Sequence, residues 1–249
     1  MSSSEMTAGR TGAQPAELAV APEKRQVTAV EHVIEQLREF ILTGRIAPGV
    51  HLQQEDLAVQ LGVSRAPVRE ALKALSMEGL LLHSPNRGYF LRRLGASELH
   101  QTYLMRKLLE TYLLETMEWP DEAELIELEA INERMASAGA QGGRTTMVTL
   151  NREFHFRIFA AANAPVILDE VRRLWDLSDA YRSIYLYSSE SRERIVHEHR
   201  ELISALRQQR LARCIEIMDA HRSAAELRVA EVLGASDYAV VPHRKPADL

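Results

Sequence analysis

The sequence predicts a mainly α protein, with an N-terminal winged helix-turn-helix ahead of a C-terminal all-α six-helix bundle. Three observations carry this expectation. Residues 57–72 read as two short amphipathic helices around the tight turn Leu61-Gly62-Val63-Ser64. Two short apolar runs then flank the turn sequence Ser84-Pro85-Asn86-Arg87-Gly88, as in a hairpin. From residue 97 to 234 apolar residues recur at helical spacing, with no strand pattern in competition.

Taken in order, residues 1–25 are rich in Ser, Thr, Gly, Ala and Pro without periodicity. They read as a disordered tail and not a signal peptide, because no apolar stretch follows a basic start. The DNA-binding block is expected over 26–94. Val30, Val33, Ile34, Leu37, Ile41 and Leu42 give its first helix, ending at Gly44. Ile46-Ala47-Pro48-Gly49 is a turn, and the second helix covers about 54–61. The third has Ser64 as N-cap and Pro67 in its first turn, where a missing N–H costs little, and it ends at Gly79. Strand, turn and strand follow through Leu91. After a short linker at 92–96, six helices are expected near 97–118, 121–138, 145–162, 165–187, 190–208 and 210–233. The breaks fall at Trp119-Pro120, 139–143, Asn163-Ala164-Pro165, Ser188-Ser189 and Gln209-Arg210. A linker this short ties the orientations of the two blocks together. Residues 235–249 read as a frayed C-terminal tail.

At 249 residues, with 46% hydrophobic and 26% charged, the chain has the composition of an ordinary soluble protein of one or two domains. The net charge of −5 and a pI near 6.0 conceal an asymmetry. Residues 24–94 hold ten Lys/Arg against seven Asp/Glu, so the acidic excess lies elsewhere. No apolar run reaches the ~18 residues of a membrane helix. The lone Cys214, in a helical context, reads as a buried structural thiol and fits a reducing, cytoplasmic setting. No Gly-rich phosphate loop, Ser/His/Asp set or CxxC pair is present. His197-Glu198-His199 imitates a zinc-protease helix, but histidines two apart point to different faces.

The third helix presents Ser64, Arg65 and Arg69 near its N-terminus. Residues four apart share a face, and an arginine fork can chelate guanine or grip phosphate. Ser64 can donate to a phosphate at the positive helix end. Asn86, Arg87 and Gly88 at the wing tip would reach the backbone or minor groove. The plain alternative is a solvated arginine face. The turn, the pair and the wing together favour double-stranded DNA as partner.

Four residues of the bundle have the chemistry of a metal site. Asn151 and His155 lie one helical turn apart, and His199 and His221 sit on two later helices, each amphipathic. Three imidazoles and an amide oxygen can hold a divalent ion and leave positions open. By spacing alone, ordinary interior or surface histidines are the commoner outcome.

Several runs closely resemble the GntR family of bacterial repressors. They are Gly44-Arg45-Ile46-Ala47-Pro48-Gly49, Leu57-Ala58, Gly62 through Leu72, Glu78-Gly79-Leu80 and Asn86-Arg87-Gly88. The resemblance implies a dimeric transcription factor reading a short palindromic operator through Arg65, Arg69 and the wing. Within 97–234, Asn151-Arg152-Glu153-Phe154-His155, Ala161-Ala162-Asn163, Glu198-His199-Arg200 and Met218-Asp219-Ala220-His221 resemble the metal-binding FCD effector domain of one GntR subfamily.

That second resemblance implies a divalent metal (zinc, nickel or manganese) on Asn151, His155, His199 and His221, with a small carboxylate as effector. The pattern has Asp where this chain has Asn151, a neutral and weaker ligand. With neutral ligands the site would keep the full +2 charge of an ion. Arg106 falls where the family places an arginine lining the effector cavity. It reads equally as a carboxylate anchor or as the partner of Glu110. Tyr103, Tyr181 and Tyr185 are candidate lining residues, though aromatic residues at this spacing are more often core. A metal-free effector pocket and a His-ligated metallohydrolase stand as alternatives. The hydrolase lacks an evident general base, since Asn151 cannot serve.

Overall fold

The computed structural model describes residues 28–185 and 189–233. The expected tails at 1–25 and 235–249, and the side chain of Tyr185, lie outside the described residues. The chain is mainly α, with a small winged helix-turn-helix followed by a helical domain.

Helix α1 (Ala29–Leu42) starts on a capping box, in which the Thr28 hydroxyl accepts from Glu31 N–H and the Glu31 carboxylate accepts from Thr28 N–H. It buries Val33, Leu37, Phe40 and Ile41, the stripe that helical spacing predicts. Helix α2 (Gln54–Leu61) ends on Gly62, whose φ of 65° is left-handed and therefore suits glycine. That turn delivers α3 (Arg65–Met77), which packs on α1 through Val68, Ala71, Leu72 and Leu75. Ser64 is the N-cap, as expected, with extended backbone, but its side chain makes no capping bond.

The wing is larger than the predicted hairpin. Strands β2 (Leu81–Ser84) and β3 (Gly88–Leu91) pair antiparallel, and β1 (His51–Leu52) adds on the other side of β3, giving the order β1-β3-β2. A two-residue strand is too short to show alternation, so the sequence concealed it. Gly49 N–H donating to Leu91 C=O at 2.8 Å extends the pairing backwards. Gly88 has φ of 84°, and a Cβ there would stand 2.9 Å from the His51 ring. The wing tip therefore favours glycine for its conformation, while the exposed His51 ring would have to turn aside for a Cβ.

The helical domain comprises α4 (Ala96–Thr116), α5 (Glu122–Ala140), α6 (Arg144–Phe159), α7 (Pro165–Tyr185), α8 (Ser189–Arg207) and α9 (Leu211–Leu233). Helix α5 packs on α6 and α8, while α4 packs on α7 and α9. Two helices stop short of their predicted ends for one shared reason. Glu118 N–H donates to Ala161 C=O at 3.0 Å, and Met117 bridges to Ala162. That backbone pairing draws residues 117–118 and 161–162 out of helix. A single apolar core runs from Leu37 and Leu75 through Leu94 and Leu99 into the helical domain. Cys214 lies in it, and burial pushes its thiol up to about 11, as fits a structural cysteine.

Candidate metal centre and nucleic-acid interface

His155 on α6, His199 on α8 and His221 on α9 meet in the interior, with ligand nitrogens all within 4.8 Å of one another. Their side chains are buried, at 0%, 1% and 7% exposure. His197 faces outward with its side chain 69% exposed, so the protease-like motif dissolves as its spacing demands. His155 Nε2 and His199 Nε2 stand 3.2 Å apart. Adjacent ligands around an ion with bonds of about 2.0–2.1 Å sit roughly 3.0–3.4 Å from one another, so the spacing fits coordination.

Asn151 lies one turn before His155 and is buried. Neither its Oδ1 nor its Nδ2 has a hydrogen-bond partner. An unsatisfied buried amide costs about 1–3 kcal/mol. A cation taken by three imidazoles beside it would relieve that cost at the oxygen. The residues present therefore fit the metal that the resemblance implies.

The surroundings fix the rings. Phe154 stacks on His199 with centroids 3.9 Å apart and planes within 5°. Trp175 on α7 packs 5.3 Å from the His155 ring. Glu198 approaches His221 Nδ1 at 2.7 Å, and a proton held there leaves the Nε2 lone pair for a ligand. Burial opposes the Glu198 charge, but His221 and Arg194 outweigh it and hold its pKa below the usual carboxylate range.

Of its two expected roles, Arg106 takes that of partner to Glu110. It is buried, donates through Nε to Glu110 at 2.8 Å and through Nη1 to Ser178 at 3.1 Å, and lies 4.2 Å from the Trp175 ring. Trp175 thus touches both Arg106 and His155. Glu110, wholly buried, also accepts from Trp175 Nε1 at 2.7 Å and from Arg222 Nε at 3.0 Å. Burial alone would raise its pKa; Arg106 and Arg222 instead pull it down to about 2. Tyr103 is core beside Arg106, and Tyr181 is core with its hydroxyl on the linker.

Sequence reasoning missed Glu198, Trp175 and Arg222 as parts of this centre, and named Glu110 only as a partner for Arg106. Glu198 and Arg222 adjoin two of the histidines, which was the one available signal. Glu110 meets Trp175 and Arg222 across 65 and 112 residues, beyond any local pattern.

On the winged helix, Arg65 and Arg69 project from the start of α3 with side chains 68% and 63% exposed. Arg65 pairs with Glu55 at 2.9 Å, and Arg69 lies 3.6 Å from Glu70. Exposed pairs of this kind contribute about 0–1 kcal/mol and exchange readily for phosphate. At the wing tip Asn86 has φ of 65°, and the Arg87 guanidinium sits 5.3 Å from the Phe90 ring.

A winged helix with an exposed arginine pair, joined to a helical domain around a buried histidine centre, defines a ligand-responsive transcriptional regulator. Comparison with known proteins agrees. Residues 29–91 match the bacterial regulatory proteins of the gntR family, and residues 101–224 match the FCD domain. The chain belongs to the GntR family and carries an FCD effector domain. It is 31% identical over 176 residues to the Nta operon transcriptional regulator of Aminobacter aminovorans, covering 70% of this chain and 81% of that one. It is 30% identical over 199 residues to the gluconate operon transcriptional repressor of Bacillus licheniformis, covering 75% and 79%. The solved structure of Escherichia coli McbR/YncC superposes with a TM-score of 0.74 at 22% identity, over 83% of this chain and 99% of that one, which speaks for the fold. Among the described residues no helix is long and apolar enough to cross a membrane.

Proposed function

We propose that this regulator is a homodimeric repressor whose histidine centre holds a divalent metal and, through it, a small carboxylate effector. The observation that carries the reading is the convergence of three buried imidazoles beside an Asn151 amide without partners. His155, His199, His221 and Asn151 would hold the ion; imidazole ligands suit zinc and nickel well, and manganese less. Bound there, a divalent cation would supply open coordination positions and a positive charge that its direct ligands do not cancel, with the Glu198 carboxylate behind His221 offsetting part of it.

The chain's own residues supply the rest. Glu198 orients His221 and Phe154 backs His199. Arg106, paired with Glu110 and bonded to Ser178 beside Trp175, would anchor an effector carboxylate only by sharing its guanidinium with Glu110. Arg65, Arg69, Ser64 and the wing residues Asn86, Arg87 and Gly88 would contact a palindromic operator, with phosphate grip from the side chains and base readout from the arginines. Leu104, Met105, Leu108 and Tyr112 are exposed on α4. Three of them are spaced four residues apart, a stripe suited to a second copy. Repression is supported by the repressor role of the Bacillus licheniformis relative. The role is that of a binding protein, without catalysis, in the bacterial cytoplasm. Asn151 offers no base to activate water, and the relatives are transcriptional regulators.

The test is titration of chelator-treated protein with Zn²⁺, Ni²⁺ and Mn²⁺, alongside gel shifts on the DNA upstream of its own gene. One ion per chain, lost in His199→Ala, with specific and salt-sensitive DNA binding, supports the reading. Failure of all three ions to bind overturns the metal centre; absence of specific DNA binding overturns the regulator.

A further inference from the structure

The winged helix meets the helical domain along α1 and α7. A cavity of about 350 Å³ opens there, lined by Ile41, Leu42 and Leu80 together with Arg38, Arg152 and Asp176. Apolar packing therefore does not fill this joint. Beside the apolar core that runs through it, a ladder of ion pairs also spans the joint. Arg152, next to Asn151 on α6, reaches Asp179 at 2.5 Å and Asp176 at 2.8 Å on α7. Asp176 also meets Arg38 of α1, and Arg38 meets Glu78, the C-cap of the DNA-reading helix α3.

A second fastening lies five residues along α7. The Tyr181 hydroxyl accepts the N–H of Leu94, in the linker between the domains, at 2.7 Å. The side chain of Asp176 is only 11% exposed and Leu94 is buried, so water screens neither contact well. At the same time Trp175, the immediate neighbour of Asp176, packs against His155. One rigid helix therefore touches the imidazole centre with one side chain and grips the DNA-binding domain with two others.

We propose that α7 is the strut that sets the pose of the DNA-binding domain against the histidine centre, with Asp176 and Tyr181 as its fastenings and Arg152 as its link to α6. The control this implies rests on the metal reading above; the mechanical role of the strut does not. Asp176 and Tyr181 are positioning residues, since they touch neither effector nor DNA in this arrangement.

The experiment measures inter-spin distances in the full chain, with Cys214→Ala and labels at Gln60→Cys on α2 and Glu127→Cys on α5, both exposed positions, in samples diluted with excess unlabelled Cys214→Ala chain so that distances within one chain are read. The background protein, Asp176→Glu, Asp176→Asn and the double variant Asp176→Asn/Tyr181→Phe are each compared after chelation and after adding Zn²⁺. The strut requires one narrow distance in the background and in Asp176→Glu, a broader one in Asp176→Asn, and the broadest in the double variant. It also requires Zn²⁺ to shift the background distance but not that of the double variant, although both bind zinc within about threefold of each other. A double variant that keeps the background distribution, or that follows Zn²⁺ as the background does, overturns the proposal. So does a background that binds zinc with no change in distance. If zinc does not bind, the metal reading fails separately, and the broadening in the chelated samples still decides the strut.

Discussion

Replacing Glu110 by Gln removes a charge from a deeply buried ionic cluster. Glu110 is 0% exposed and receives hydrogen bonds from Arg106, Trp175 and Arg222. In Glu110→Gln an amide N–H₂ would face one of the two arginines, and the cluster would carry an extra uncompensated positive charge. Breaking a buried pair on one side costs about 3–5 kcal/mol. The pKa gives a second route to the magnitude. A fall from 4.5 to about 2 corresponds to a preference for the charged form on the order of 3 kcal/mol.

The sign follows from the depressed value. Glu110's contribution is fully present above about pH 4.5 and is lost as pH falls toward 2. Other lowered carboxylates, among them Glu198 and Asp219, lose their contributions on acidification too, so the wild type alone is uninformative. The difference between wild type and Glu110→Gln isolates Glu110. Urea unfolding followed by far-ultraviolet circular dichroism should give a difference on the order of 3 kcal/mol at about pH 7. By about pH 3.5 it should have shrunk by roughly 1 kcal/mol. A difference below about 1 kcal/mol at neutral pH, or one that does not change on acidification, refutes the reasoning.

Asn151→Asp places an anionic ligand beside the three imidazoles and should tighten Zn²⁺ binding by about tenfold or more in a competition titration; unchanged affinity would remove Asn151 from the ligand set. Arg69→Ala should weaken operator binding by about 1–3 kcal/mol if the side chain reads a base. If it grips only phosphate, it should instead lower the salt slope by roughly one unit, and a gel-shift series over salt separates the two. Cys214, buried with its thiol pushed up to about 11, should resist thiol reagents at about pH 8 until the chain unfolds, which a mass-shift time course reads directly.

Much of this architecture was legible because local rules and tertiary demands agree. The α1 stripe, Gly62 at the turn and Pro67 within the first turn of α3 all express backbone and burial constraints that act over a few residues. Strand β1 was not legible, since His51 and Leu52 become a strand only by pairing with Tyr89 and Phe90. Helix ends at Thr116 and Phe159 were misjudged because a backbone pairing between residues 117–118 and 161–162 overrides helical propensity. Within the site, spacing put Asn151 and His155 on one face and chemistry suggested grouping them with His199 and His221, but only resemblance favoured that grouping over ordinary interior histidines. The supporting cast was hidden, because Glu110, Trp175 and Arg222 come together only when α4, α7 and α9 pack. The interdomain ladder through Arg38, Asp176 and Arg152 was hidden for the same reason.

The most direct test of the histidine centre is anomalous diffraction at the zinc edge from crystals of the full chain grown with Zn²⁺. The expected result is a single strong peak bonded to nitrogens of His155, His199 and His221 at about 2.0–2.1 Å, with the Asn151 oxygen turned toward it. An interior without such a peak, its imidazoles satisfied by one another or by water, would contradict the metal centre.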